Sequence, residues 1–164
     1  MSRLLVPLLA LVLAPAGLAA TLTFSVVTSS PVAAPTVTLS GDDQAKTFTV
    51  VTQVAYTGSG NTAGWKVQAS STTLTYASTH TLPAMQVTAG TFSCQTGCTT
   101  SPSPTGITYP ITLSTSPHTI YNANTNTGRG TYRITSTYQV TYPASAVTGT
   151  YSATLTLTGA TGPT

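Results

Sequence analysis

The stretch "TYRITSTYQVTY", residues 131–142, changes character at every step. Tyr132, Ile134, Tyr138, Val140 and Tyr142 share one parity, and Thr131, Arg133, Thr135, Thr137, Gln139 and Thr141 share the other. Successive side chains of an extended chain point to opposite faces, so this pattern builds a strand with one apolar face and one hydroxyl-rich face. The signature recurs. In "TLTFSVV", Leu22, Phe24 and Val26 oppose Thr23 and Ser25. In "TFTVVTQVAYT", Phe48, Val50, Val54 and Tyr56 oppose Thr47, Thr49 and Gln53. In "TYSATLTLTG", Tyr151, Ala153, Leu155 and Leu157 oppose Ser152, Thr154, Thr156 and Thr158, and "WKVQASS" puts Trp65, Val67 and Ala69 together.

Composition agrees with the alternation. Only 4% of the 164 residues are charged, against about 25% in an ordinary soluble domain. Threonine is the commonest residue, and long charged helix formers are nearly absent. Hydrophobic residues make up 40%, enough for a packed core. Apolar-in, hydroxyl-out strands with no helical period predict an all-β protein: a single antiparallel β-sandwich of Greek-key, immunoglobulin-like type over residues 21–164.

Between these strands the reading is coarser. "GSGNTAG" before Trp65 reads as a turn joining two strands. "SSPVAAPTVTLSG" is broken by Pro31 and Pro35, with "VTLSG" as a short strand ending at Gly41 and Asp42 to Gln44 as a turn. "TTLTYAS" and "LPAMQVTAG" read as short strands or irregular extended chain. Residues 96–104 are a loop by composition, and Pro110 within "GITYPITLS" makes that strand an edge or a bulge. "SPHTIYNANTNTGRG" reads as a long polar excursion. "PASAVTG" is a turn.

Residues 1–20, "MSRLLVPLLALVLAPAGLAA", have the order of a secretory signal: Arg3, an apolar run, then Gly17, Ala19 and Ala20. The run is short for a bilayer span of about 20 residues, and Pro7 and Pro15 interrupt it. Cleavage after Ala19 or Ala20 leaves a chain starting near Thr21, with no membrane span after signal removal. In that exported setting Cys94 and Cys98 read as a disulfide closing a small loop eased by Gly97, with free thiols as the alternative.

Several functions are disfavoured. The net charge of +3 comes from scattered residues, and Lys46, Lys66, Arg129 and Arg133 form no basic stripe for nucleic acid. Asp42 and Asp43 are adjacent, so they do not face each other across a substrate, and they read as a solvated turn. His80 and His118 sit in turn-like settings with no nucleophile elbow. No phosphate, dinucleotide, calcium or metal motif is present. The expectation is a protein with no catalytic residues, metal or cofactor. Tyr132, Tyr138, Tyr142 and Tyr151 admit a sugar-stacking platform, but they keep the period of Ile134 and Leu155, which favours a core stripe with hydroxyls at its rim.

"GSGNTAGWKVQASSTTL" followed by "TLPAMQVTAG", and "YPASAVTGTYSATLTLTGATGP" near the end, together resemble the WxL-domain family of exported bacterial surface proteins. The resemblance spans most of residues 21–164. The family's Trp-any-Leu motif stands here as Trp65, Lys66, Val67, and no second tryptophan follows. It implies a secreted, cell-surface β-sandwich in contact with cell-wall polymer or another surface protein. Trp65 reads as a core anchor at a strand start, or alternatively as an exposed ligand contact. Three functions follow as expectations: a non-catalytic structural or adhesion protein of the cell surface, a fibre subunit that self-associates through strand edges, or a carbohydrate-binding module.

Overall fold

The computed structural model describes residues 21–57 and 62–162. The signal reading, the Gly58 to Asn61 turn and the terminal Gly-Pro pair's Pro163 lie outside the described residues. Within them the chain is all-β, with no helix and every strand pair antiparallel. The strands are β1 (Thr21–Val26), β2 (Gln44–Thr57), β3 (Trp65–Ser71), β4 (Thr75–Tyr76), β5 (His80–Thr81), β6 (Gln86–Thr100), β7 (Ile111–Thr112), β8 (His118–Ala123), β9 (Arg129–Tyr142) and β10 (Leu155–Thr161). They form a five-stranded sheet in the order β1-β2-β9-β6-β7, a three-stranded sheet in the order β10-β3-β8, and the small β4-β5 pair.

One core lies between the two larger sheets. Val50, Val54 and Tyr56 of β2 and Tyr132, Ile134, Tyr138 and Val140 of β9 meet Trp65, Val67 and Ala69 of β3 and Ile120 of β8. The alternation legible in the sequence therefore points at this core. Between Phe48↔Tyr138 and Val54↔Tyr132 the β2–β9 ladder runs without a bulge, which keeps both apolar rows on one face. The opposite face carries Thr47, Thr49, Gln53, Thr135 and Thr137, with Arg133 exposed among them.

The structure corrects several local readings. "VTLSG" forms no strand; Thr38 carbonyl and Ser40 hydroxyl instead accept hydrogen bonds from Gln44 Nε2 at 2.8 and 3.1 Å. The strands on either side of residues 58–61, β2 and β3, lie in different sheets. The first part of the expected 96–104 loop continues β6 to Thr100, with register shifts absorbing the extra residues. The expected polar excursion at His118 is a buried strand: Ile120, Tyr121, Asn122 and Ala123 are all buried. Its polar members deceive, since Asn122 is inside and takes the place of a neighbouring strand. Its side chain accepts from Thr105 N at 2.9 Å and donates to Thr105 carbonyl at 3.0 Å. The last alternating run forms a strand only from Leu155; Ser152 ahead of it makes an isolated bridge to Thr75.

Hydroxyls also enter the core. Thr52, on the apolar row of β2, is 2% exposed, and its Oγ1 has no hydrogen-bond partner. A buried hydroxyl without a partner costs about 1–3 kcal/mol in lost hydration. Thr52→Val keeps the side-chain shape and removes that cost. We expect it to raise the urea midpoint at unchanged m-value, by an increment of about 1 kcal/mol.

Candidate functional site

Trp65 opens β3 and is fully buried. Its indole Nε1 donates to Gly128 carbonyl at 2.9 Å, and its ring stacks on Tyr121 with centroids 6.2 Å apart. Both flanking glycines are required by contact. Gly64 has φ +73°, and a Cβ there would strike the Ala123 and Asn124 carbonyls. Gly128 has φ +70°, and a Cβ there would lie 2.6 Å from Trp65 Nε1. The Gly-Trp pair is thus a packing device, and the indole presents no surface to a ligand.

The tyrosines separate into two groups. Tyr132 and Tyr138 are 1% and 0% exposed, so the four form no common platform. Tyr138 stacks on Phe48 at 5.4 Å, and Tyr132 hydroxyl donates to Thr100 carbonyl at 2.7 Å. Tyr142 and Tyr151 are half-buried at the rim of a groove. Tyr151 also belongs to a ring cluster that sequence reasoning missed, lying 5.8 Å from Tyr76, which stacks on His80 at 6.0 Å. Beside it, Thr72, Thr73, Thr75 and Ser152 line a shallow hydroxyl-rich depression of about 480 Å³. His118 lies elsewhere, with its Nε2 3.0 Å from Ser114 Oγ. Neither histidine is brought to an aspartate, and Asp43 Oδ1 accepts from Ala144 N at 2.8 Å. Among the described residues no three His, Cys, Asp or Glu side chains gather as metal ligands.

Cys94 and Cys98 are joined as a disulfide across the bulged part of β6. Gly97 turns at φ +62°, and the loop lies directly over Gly130 of β9, where a Cβ would come within 2.7 Å of Cys98 Cα. The bridge fastens a local irregularity beside β9.

The feature that offers backbone groups to a partner is the corner where the edges of the two sheets meet, with Phe24 of β1 packed on Gly159 of β10. β1 and β10 are the edge strands there. Antiparallel pairs alternate between exchanging hydrogen bonds and not doing so. Val27 N donates to Val51 carbonyl, which sets the alternation for β1 and turns the backbone groups of Leu22, Phe24 and Val26 outward. Thr72 N to Thr154 carbonyl and Gly162 N to Gly64 carbonyl set it for β10, turning Leu155, Leu157 and Gly159 outward. Beside this corner, walled by residues 27–37 and reached by Val26 of β1 and Leu155 and Leu157 of β10, runs a groove of about 1090 Å³. Its walls include Val27, Val32, Phe48, Tyr142 and Leu157, and among the described residues no charged side chain lines it. Val26, Val27 and Val32 are 47%, 43% and 37% exposed. The other edge of the smaller sheet is covered, by the Asn122–Thr105 bonds and by Tyr109 hydroxyl donating to Ile120 carbonyl.

Burial raises the pKa of several tyrosine hydroxyls. Burial, and then neighbouring Tyr109, push the Tyr121 hydroxyl up to about 12. The same two causes, in the same order, raise Tyr138 further.

No family model, curated protein or solved structure matches this chain. No helix among the described residues is long and apolar enough to cross a membrane.

Two outcomes follow. The Cys94–Cys98 loop is short, so Cys94→Ser with Cys98→Ser should lower unfolding free energy by about 2 kcal/mol at most, measured by urea denaturation with and without reductant. A tyrosine whose folded pKa is raised stabilises the fold fully below its unfolded value near 10 and loses that contribution as pH rises through the folded value. Stability should therefore be flat with respect to Tyr121 up to about pH 10 and fall from there through about 12. Absorbance at 295 nm should show the buried tyrosines ionising together with unfolding.

Proposed function

We propose that this chain is an exported, non-catalytic structural protein of the bacterial cell surface, WxL-like in type. In this reading it is a single β-sandwich of Greek-key, immunoglobulin-like kind that engages cell-wall polymer or a neighbouring surface protein. The observation that carries it is this corner: two edge strands whose backbone groups alternate outward, beside an apolar groove. Exposed edges of this kind pair with other chains unless guarded by charge, proline or cover. Here β1 and β10 contain neither charge nor proline. Strand addition to such an edge gives affinity through backbone hydrogen bonds, and flanking pockets select the side chains.

The same edges support a second reading, a fibre subunit that grows by strand addition from copy to copy. A glycan-binding role rests on a different surface, the Tyr76, His80 and Tyr151 rings with their adjoining hydroxyls.

Light scattering and electron microscopy across concentration, with a pull-down against isolated cell envelopes, separate these readings. Concentration-dependent oligomers or envelope capture support association at the corner. Val26→Lys places a charge on an already exposed edge position; it should weaken either association at least tenfold while leaving far-UV circular dichroism unchanged. A monomer that binds no envelope, or binding indifferent to Val26→Lys, overturns the assignment to this corner.

A further inference from the structure

The connection between β1 and β2 is at odds with their pairing. The two are antiparallel neighbours, from Thr21↔Thr57 to Val26↔Thr52. Such strands are commonly joined by about two to five residues, yet here residues 27–43 intervene, with no helix or strand. A chain of that length spans on the order of 50 Å when extended, so β1 need not lie on the β2 of its own molecule. We propose that β1 is an exchangeable strand, docking on β2 of a second copy of this chain and linking copies together.

The hold on β1 is narrow. It has one sheet neighbour, and only Leu22 and Phe24 are even half-buried. Its partner requires cover, because β2 contributes Val54 and Tyr56, each 1% exposed, to the core. The seat is shaped for this strand. Phe24 lies over Gly159 of β10, where a Cβ would approach the Phe24 ring to 2.7 Å. An incoming strand must place an aromatic ring two residues beyond its first apolar residue, as "TLTFSV" does. Docking also buries no charge, since neither β1 nor β10 carries one. The hinge side is defined as well: Val51 N donates to Thr28 Oγ1 at 2.7 Å, and Val27 N donates to Val51 carbonyl at 2.8 Å. The exchanged unit thus ends at Thr28. Exchange of an identical element needs no interface beyond the one already present in a closed monomer. When each copy receives from one neighbour and gives to another, the arrangement is head-to-tail, a ring where the rotation between copies closes and a filament where it does not.

This inference rests on the self-associating reading of the corner, and the test keeps the two apart. Thr23 and Ala55 are register partners on the outer face, at a separation suited to a disulfide. One chain carrying Thr23→Cys and a differently tagged chain carrying Ala55→Cys are co-expressed at full length in an exporting host. A disulfide between positions 23 and 55 then forms only across copies. We expect heterodimers on non-reducing gels, rising with concentration and at least tenfold above an off-register control of Thr23→Cys with Thr47→Cys. Ser25→Cys with Gln53→Cys repeats the test if the first pair impairs folding. In a doubly substituted chain, the internal bond should block association until reductant is added, whereas the unsubstituted chain shows no such switch. Heterodimers at control level overturn exchange. If locked chains still assemble, association proceeds by edge addition and only exchange falls. If no oligomer forms under any condition, both fall.

Discussion

The ladder between β2 and β9 is the interaction on which the rest of the molecule depends. It runs from Gln44↔Tyr142 to Tyr56↔Gly130 without a register shift. Because side chains alternate with a period of two, a slip of β2 by one residue against β9 would turn Val50 and Val54 to solvent and bring its threonines inward, over the apolar row of Ile134 and Tyr138. The long matched apolar rows make that slip prohibitive. β1 adds to one side of this pair and β6 to the other, each inheriting its register from it. The smaller sheet then needs only to cover the apolar face so defined, and Trp65 contributes the largest single piece of that cover.

Departures from regularity gather where the ladder ends. β6 follows β9 cleanly from Ala89 to Cys94 and then shifts register twice, with the disulfide fastening the bulged stretch. On the opposite side, β1 is short, lightly buried and joined to β2 by a long irregular segment. One margin of the large sheet is covalently fastened and the other is loosely attached. Local opening is expected where few apolar groups are buried, which is the side that carries the proposed association.

Much of this was readable from sequence because the relevant signal is local. The rows of β2, β3 and β9 follow from alternation alone, as does the hydroxyl-rich outer face. The pairing of Cys94 with Cys98 is expected from their spacing, on the expectation of export. The buried strand β8 escaped because its polar residue Asn122, typical of turns, finds its partner well away in sequence, at Thr105. The continuation of β6 through "TGCTT" escaped because strand assignment there comes from β9, not from local propensity. Burial of Thr52 and Ser136 likewise reflects their place on an apolar row and not their chemistry.

By itself the sequence determined the all-β class, the facing of each long strand and the near absence of charge, since these depend only on side-chain type and a backbone period of two. Tertiary structure decided which strands pair, which edges are covered and where the groove lies. Those outcomes depend on contacts between residues far apart in the chain, such as Trp65 with Gly128 and Phe24 with Gly159. No local pattern encodes such meetings, because each residue's burial there is set by the surface it meets and not by its neighbours in sequence.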